Sequence, residues 1–117
     1  MAKFLALYIG SVSASEKANY SPTPDEEKMW ADGMTQWGEW MERHSSAIVD
    51  SGTPLGKTLR ASPDGISAHE NRNVAYVIVE AESLQAAAEL FKDHPHFAVM
   101  PGDSVEIMEC LPSPGQG

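Results

Sequence analysis

Two unbroken apolar runs constrain this chain more than anything else in it: "FLALYI" at residues 4–9 and "VAYVIV" at residues 74–79. A strand with one wet face alternates polar and apolar side chains. These two do not, so each is expected near the centre of a sheet with both faces covered. The rest of the chain has to supply that cover.

The segment opening "TPDEE" starts the first helix. Thr23 can accept from backbone N–H groups, Pro24 suits the first helical position, and Glu26 completes a capping box. Asp25, Glu26 and Glu27 sit at its positive end, with Arg43 and His44 toward its negative end. Gly52 is the expected stop, which makes a helix of about 28 residues or ~42 Å, with Gly33 and Gly38 as places to bend or break. Trp30, Met34, Trp37, Met41, His44 and Ile48 alternate spacings of four and three and form the stripe expected to be buried. Trp40 falls off that stripe, so it either meets another surface or lies exposed beside a cleft.

The remaining elements follow from alternation and punctuation. Residues 10–21 are small, polar and turn-rich, and are expected as a mobile connection. Leu55–Arg60 alternates like a strand with a wet face or edge, Pro63, Asp64 and Gly65 mark a turn, and "ISAHENRN" extends it into a long loop. Ser83 caps a second helix from Leu84 to about Lys92, with Leu84, Ala87, Ala88 and Phe91 on one face, and His94 and Pro95 end it. Val105–Leu111 is the last strand, marked as an edge by Glu106 and Glu109.

The order strand, helix, strand, strand, helix, strand is the split βαβ, or ferredoxin-like, pattern. The fold class is therefore α+β, a βαββαβ chain with a four-stranded antiparallel sheet whose first and third strands are central. Residues 1–112 form a single domain and residues 113–117 a flexible tail. Two helices can cover one face of such a sheet. The other face carries alternate residues of the same apolar runs and would be too large an apolar patch to leave wet. The expectation is a homodimer through the open sheet face, a dimeric α/β barrel burying roughly 800 Å² per partner.

Charge and cysteine count exclude several classes. A net charge of −9 argues against nucleic acid as a partner, since phosphate binding needs clustered Lys and Arg. Cys110 is the single cysteine, so no internal disulfide can form, and a reducing cytoplasm is the expected compartment. Lys3 before Phe4–Ile9 invites a signal-peptide reading, but the run is shorter than a typical signal core, and no segment has the length of a membrane span.

"YVIVEAESLQAAAELFKDHPHF", followed after a turn by "SVEIMECLP", resembles the C-terminal half of YCII-related proteins, the superfamily that includes the DGPF-domain proteins. A starting strand, a Trp-rich helix followed by "SGTPLG", and an edge strand fit the first half. The resemblance implies a dimeric α/β barrel and, in some relatives, an enzyme built around a His on the first helix and an Asp just before the Pro that follows the second. This sequence departs from that pattern. His94 stands before Pro95 with Asp93 one residue earlier, the first half of the first helix has no histidine, His44 near its end is the only helical candidate, and the DGPF tetrapeptide is absent. What the resemblance carries over is a place: a cleft between first helix, sheet and the segment around Pro95.

Candidate chemistry gathers there. His94 or His96 can act as a general acid or base, oriented by Asp93; alternatively His94 bonds the free carbonyls ending the second helix. His94 and His96 with His69 or Glu70 as a metal site lack a clear third ligand, so no metal and no cofactor is assigned. Tyr8, Trp37, Trp40, Met41 and His44 can line a pocket for a flat or apolar molecule, or be plain core. The reading is a protein that binds a small organic molecule, with lyase, isomerase or hydrolase chemistry by a His acid–base. The competing one is a non-catalytic dimeric binding or structural module. A polar cleft with room for a ligand favours the first; a solid aromatic core with both histidines bonded to backbone favours the second.

Overall fold

The two apolar runs lie side by side. β1 (Ala2–Gly10) and β5 (Asn73–Ala81) pair antiparallel from Ala2↔Ala81 to Ile9↔Asn73. In this computed structural model, which describes residues 1–112, β2 (Ile48–Asp50) flanks β5 and β6 (Gly102–Glu109) flanks β1. The sheet order β2-β5-β1-β6 is the ferredoxin-like arrangement, with the apolar strands central as their composition requires. The tail at 113–117 lies outside the described residues.

The helices cover one face. α2 (Pro24–Arg43) opens with the expected Thr23–Glu26 capping box, and α3 (Leu84–Glu89) with Ser83 accepting from the Ala86 N–H. They bury Phe4, Ala6 and Tyr8 of β1 and Val77, Val79 and Ala81 of β5 against Trp40, Ala87 and Phe91. Each large side chain so buried contributes about 1.5–3 kcal/mol. The alternate residues face the other way: Leu5 lies opposite Ile78, and Leu7 opposite Tyr76, all only half-buried. The described residues span 51 × 44 × 18 Å, a sheet and one helical layer.

Several boundaries differ from expectation. α2 is 20 residues long and stops at Arg43, with His44 as its C-cap. Ile48 does pack against the core, but from strand β2, paired to Val79. A β-branched Ile-Val pair beyond two serines gains more from closing the sheet edge than from extending a helix. Gly52 has φ +69° and marks the turn after this strand, where the chain passes against the Tyr76 backbone. The edge strand beside β5 is therefore β2, continued only by a Pro54↔Ala75 bridge and the Leu55 N–H donating to the Val74 carbonyl, and residues 56–60 do not extend it. Instead β3 (Thr58–Ser62) and β4 (Gly65–His69) form a separate hairpin, so "ISAH" is strand where a loop was expected.

The buried stripe of α2 is also rotated from the expected one. Met34 is 58% exposed while Trp40 is 2% exposed and anchors the core. Residues 10–21 hold a short helix, α1 (Ala14–Ala18), with a capping box from Ser13 and Glu16. That Ser-x-x-Glu signature was legible in the sequence. No helix among the described residues is long and apolar enough to cross a membrane.

Candidate functional site

α3 stops at Glu89, short of the expected Lys92, and a turn at residues 90–93 separates it from His94 and Pro95, which begin another helix. Asp93 adopts φ +58° in that turn, a conformation Asp tolerates better than most residues. Pro95 then opens α4 (Pro95–Ala98) with His94 as its N-cap. The His94 Nδ1 atom accepts from the His96 backbone N–H at 2.9 Å. His94 thus caps an N-terminus, contrary to the expectation that it serves the carbonyls of the preceding helix.

That bond fixes the tautomer. A backbone N–H can only donate, so Nδ1 is bare and the proton of the neutral ring sits on Nε2. Nε2 lies 3.1 Å from the Tyr8 hydroxyl, which must accept. The Tyr8 O–H hydrogen is left free to donate, and no bond to an acceptor is made by it among the described residues. His96 is held from the opposite side, its Nε2–H donating to the Ile9 carbonyl at 2.7 Å. Its Nδ1 then carries a lone pair.

Burial sets the charges. His94 is fully buried and its pKa falls to about 3, chiefly by desolvation, with His96, His44 and Arg43 adding repulsion. His96 is lowered by burial, partly offset by the Ile9 carbonyl and by Asp103. Burial raises Tyr8 well above the usual phenol value. Near neutral pH the cluster is therefore two neutral imidazoles and a protonated phenol.

Aromatic rings box it in. The Trp37 ring centroid lies 4.4 Å from Tyr8, 4.8 Å from His94 and 5.8 Å from His96. Trp40 lies 4.6 Å from His94 and is pinned by its Nε1–H donating to the Leu90 carbonyl at 2.9 Å. The structure thus gathers Tyr8, Trp37, Trp40, His94 and His96. His44 lies against Trp40, ring centroids 4.9 Å apart, and Met41 packs half-buried against the core. Asp93 is exposed and hydrogen-bonds to neither imidazole. His69 lies on the exposed hairpin, and among the described residues no cluster of three or more His, Cys, Asp or Glu is placed to hold a metal ion.

The cluster is closed. A shallow groove of about 360 Å³ runs between α3 and β6, lined by Ala88, Phe91, Phe97, Val105 and Ile107. Phe91 forms its inner wall and is the one residue shared with the box, its ring 6.1 Å from Tyr8 and 6.0 Å from His94. Sequence reasoning named Phe91 only as helix core. Its second role depends on what lies on each side of one ring, which no local pattern encodes.

No family model matches this chain, and no curated protein matches it. Among solved structures it is similar to the 5-chloro-2-hydroxyhydroquinone dehydrochlorinase of Burkholderia phenoliruptrix in complex with 2,5-dihydroxybenzoquinone. The TM-score is 0.52 at 16% sequence identity, covering 91% of this chain and 90% of that one. The likeness is one of fold.

Proposed function

We propose that this chain is a YCII-related protein that binds a small, flat organic molecule between α2, the sheet and the segment around Pro95, and can move a proton on it. The observation that carries the reading is the Tyr8 hydroxyl, a buried donor whose acceptor side is occupied and whose hydrogen has no partner among the described residues. Buried polar groups are ordinarily satisfied, so an unsatisfied one in an aromatic box suits a ligand oxygen. Likeness of fold to an enzyme solved with a dihydroxybenzoquinone supports the class of molecule.

The roles follow from the tautomers. Tyr8 donates to a carbonyl or phenolic oxygen of the ligand. The proton leaving a neighbouring C–H or O–H goes to Nδ1 of His96, making it an imidazolium, while Tyr8 stabilises the negative charge left on oxygen. His94 is a positioning residue: neutral, with its Nε2–H engaged, it holds the phenol and accepts no proton. Phe91 is the partition through which the groove reaches the box. Two copies pair through the open sheet face bearing Leu5, Leu7, Tyr76 and Ile78, a reading supported by its apolar composition.

A second reading, a non-catalytic dimeric module, is favoured by the closed box and by the bond each imidazole makes to backbone. Calorimetric titration with 2,5-dihydroxybenzoquinone, then with simple phenols and 2-oxo acids, separates the two. Saturable binding that weakens about tenfold or more in Tyr8→Phe supports the site, given the ~1.4 kcal/mol per decade at stake. No binding by any of these probes supports the module.

A further inference from the structure

Among the described residues no third strand joins the β3–β4 hairpin. Its strands pair with each other from Thr58↔His69 to Ser62↔Gly65 and make no more than slight contact with any other element. Every residue of β4 is exposed. The register places Leu59, Ala61, Ile66 and Ala68 on one face, opposed in pairs, with Thr58, Arg60, Ser67 and His69 on the other. Leu59 is 72% and Ile66 75% exposed. A two-stranded hairpin alone is marginal in water, and this one bares its apolar face.

We infer that the hairpin is a dimer arm, its Leu59–Ile66 face closing over the open sheet face of a second copy of this chain. This rests on the face-to-face pairing proposed above and adds to it the element that completes the interface. Area argues for it. At ~3.3 Å per residue and ~4.8 Å between strands, the four-stranded sheet presents a projected face of roughly 450 Å², well short of the ~800 Å² per partner of a standard stable interface. The hairpin adds roughly 160 Å² by the same reckoning, which brings the face to roughly 610 Å² and closes about half of the shortfall. Chemistry argues for the same occupant. The Leu59–Ile66 face carries only apolar residues, its charged neighbours Arg60 and Asp64 lying on the other face and in the turn, and it matches the apolar open face bearing Leu5, Leu7, Tyr76 and Ile78.

The test is sedimentation equilibrium of the full chain over micromolar concentrations, comparing wild type, the double variant Leu59→Asp with Ile66→Asp, and Leu7→Asp. Circular dichroism of each variant confirms that it folds, and the arm positions are solvent-facing, so folding should survive. Wild type is expected to be a dimer, with dissociation constants raised at least tenfold in both variants. A photocrosslinker at position 66 should then couple to β1 or β5 of the second copy. A wild-type monomer overturns both the arm and the face-to-face pairing. A dimer broken by Leu7→Asp but indifferent to the double variant overturns the arm alone and leaves the pairing standing.

Discussion

The Tyr8 hydroxyl lies 3.1 Å from Nε2 of His94, and the direction of that bond is decided by a third group, the His96 backbone N–H that occupies Nδ1 of the same ring. A residue on the first strand thereby has its hydrogen-bonding state fixed by the geometry of a helix cap late in the chain. The candidate site is a consequence of how α4 begins.

Replacing Tyr8 by Phe removes the acceptor for the His94 Nε2–H and leaves that donor buried. The expected cost is about 1–3 kcal/mol of stability. Urea unfolding followed by tryptophan fluorescence measures it, and an unchanged midpoint would show that the bond contributes nothing.

Stability should fall as pH drops below neutral. His94 titrates at about 3 in the fold and near 6.5 when unfolded, so between those values the unfolded chain binds more protons and stability rises with pH. The contribution is fully present above pH ~6.5 and disappears toward pH ~3, an effect of at most about 5 kcal/mol. Urea midpoints measured from pH 7.5 to 4.5 should shift less in His94→Asn than in wild type. Equal shifts would assign the whole effect to carboxylates.

Trp40→Ala should cost about 3–5 kcal/mol, by loss of a core ring and of the donor to the Leu90 carbonyl. Met34→Ala, on the stripe that helical spacing marks as buried, should stay within ~0.5 kcal/mol because the side chain faces solvent. Thermal unfolding of the two variants decides which face of α2 is the inner one.

Gly52→Ala should destabilise by ~2 kcal/mol or more. The position has a left-handed φ of +69°, and a Cβ there would run into the Tyr76 carbonyl on β5. Exchange of the β2 and β5 amides, measured by NMR, should quicken in the variant, and unchanged protection would show that the turn can shift without loosening the edge.

His96→Ala looks harmless from sequence, since a residue just past Pro95 can face solvent. In the fold it is 5% exposed and its ring donates to Ile9, so truncation orphans a buried carbonyl. His96→Gln, which can still donate, is the variant for binding experiments.

The legible parts of this protein were those written in local pattern. "FLALYI" and "VAYVIV" announced the central strands, Thr23 and Glu26 the start of α2, Ser83 the start of α3, and the element order the ferredoxin-like fold. Sequence reasoning misassigned Ile48 because one spacing suits both a helical stripe and a strand entering the same core. It misread "ISAH" because a hairpin without a packed partner lacks the apolar weight of a core strand.

Tyr8, Trp37, Trp40, His94 and His96 were all named as candidates from sequence, but not as one cluster. Residue type and proximity to a turn suffice to nominate an imidazole or an indole. Which ring nitrogen bears the proton, which indole is buried and whether Asp93 turns toward the rings depend on contacts across as many as 87 positions of chain. Local periodicity determined the layers of this protein. Only the closing of those layers decided the chemistry between them, because hydrogen-bond direction and desolvation are properties of neighbours in space.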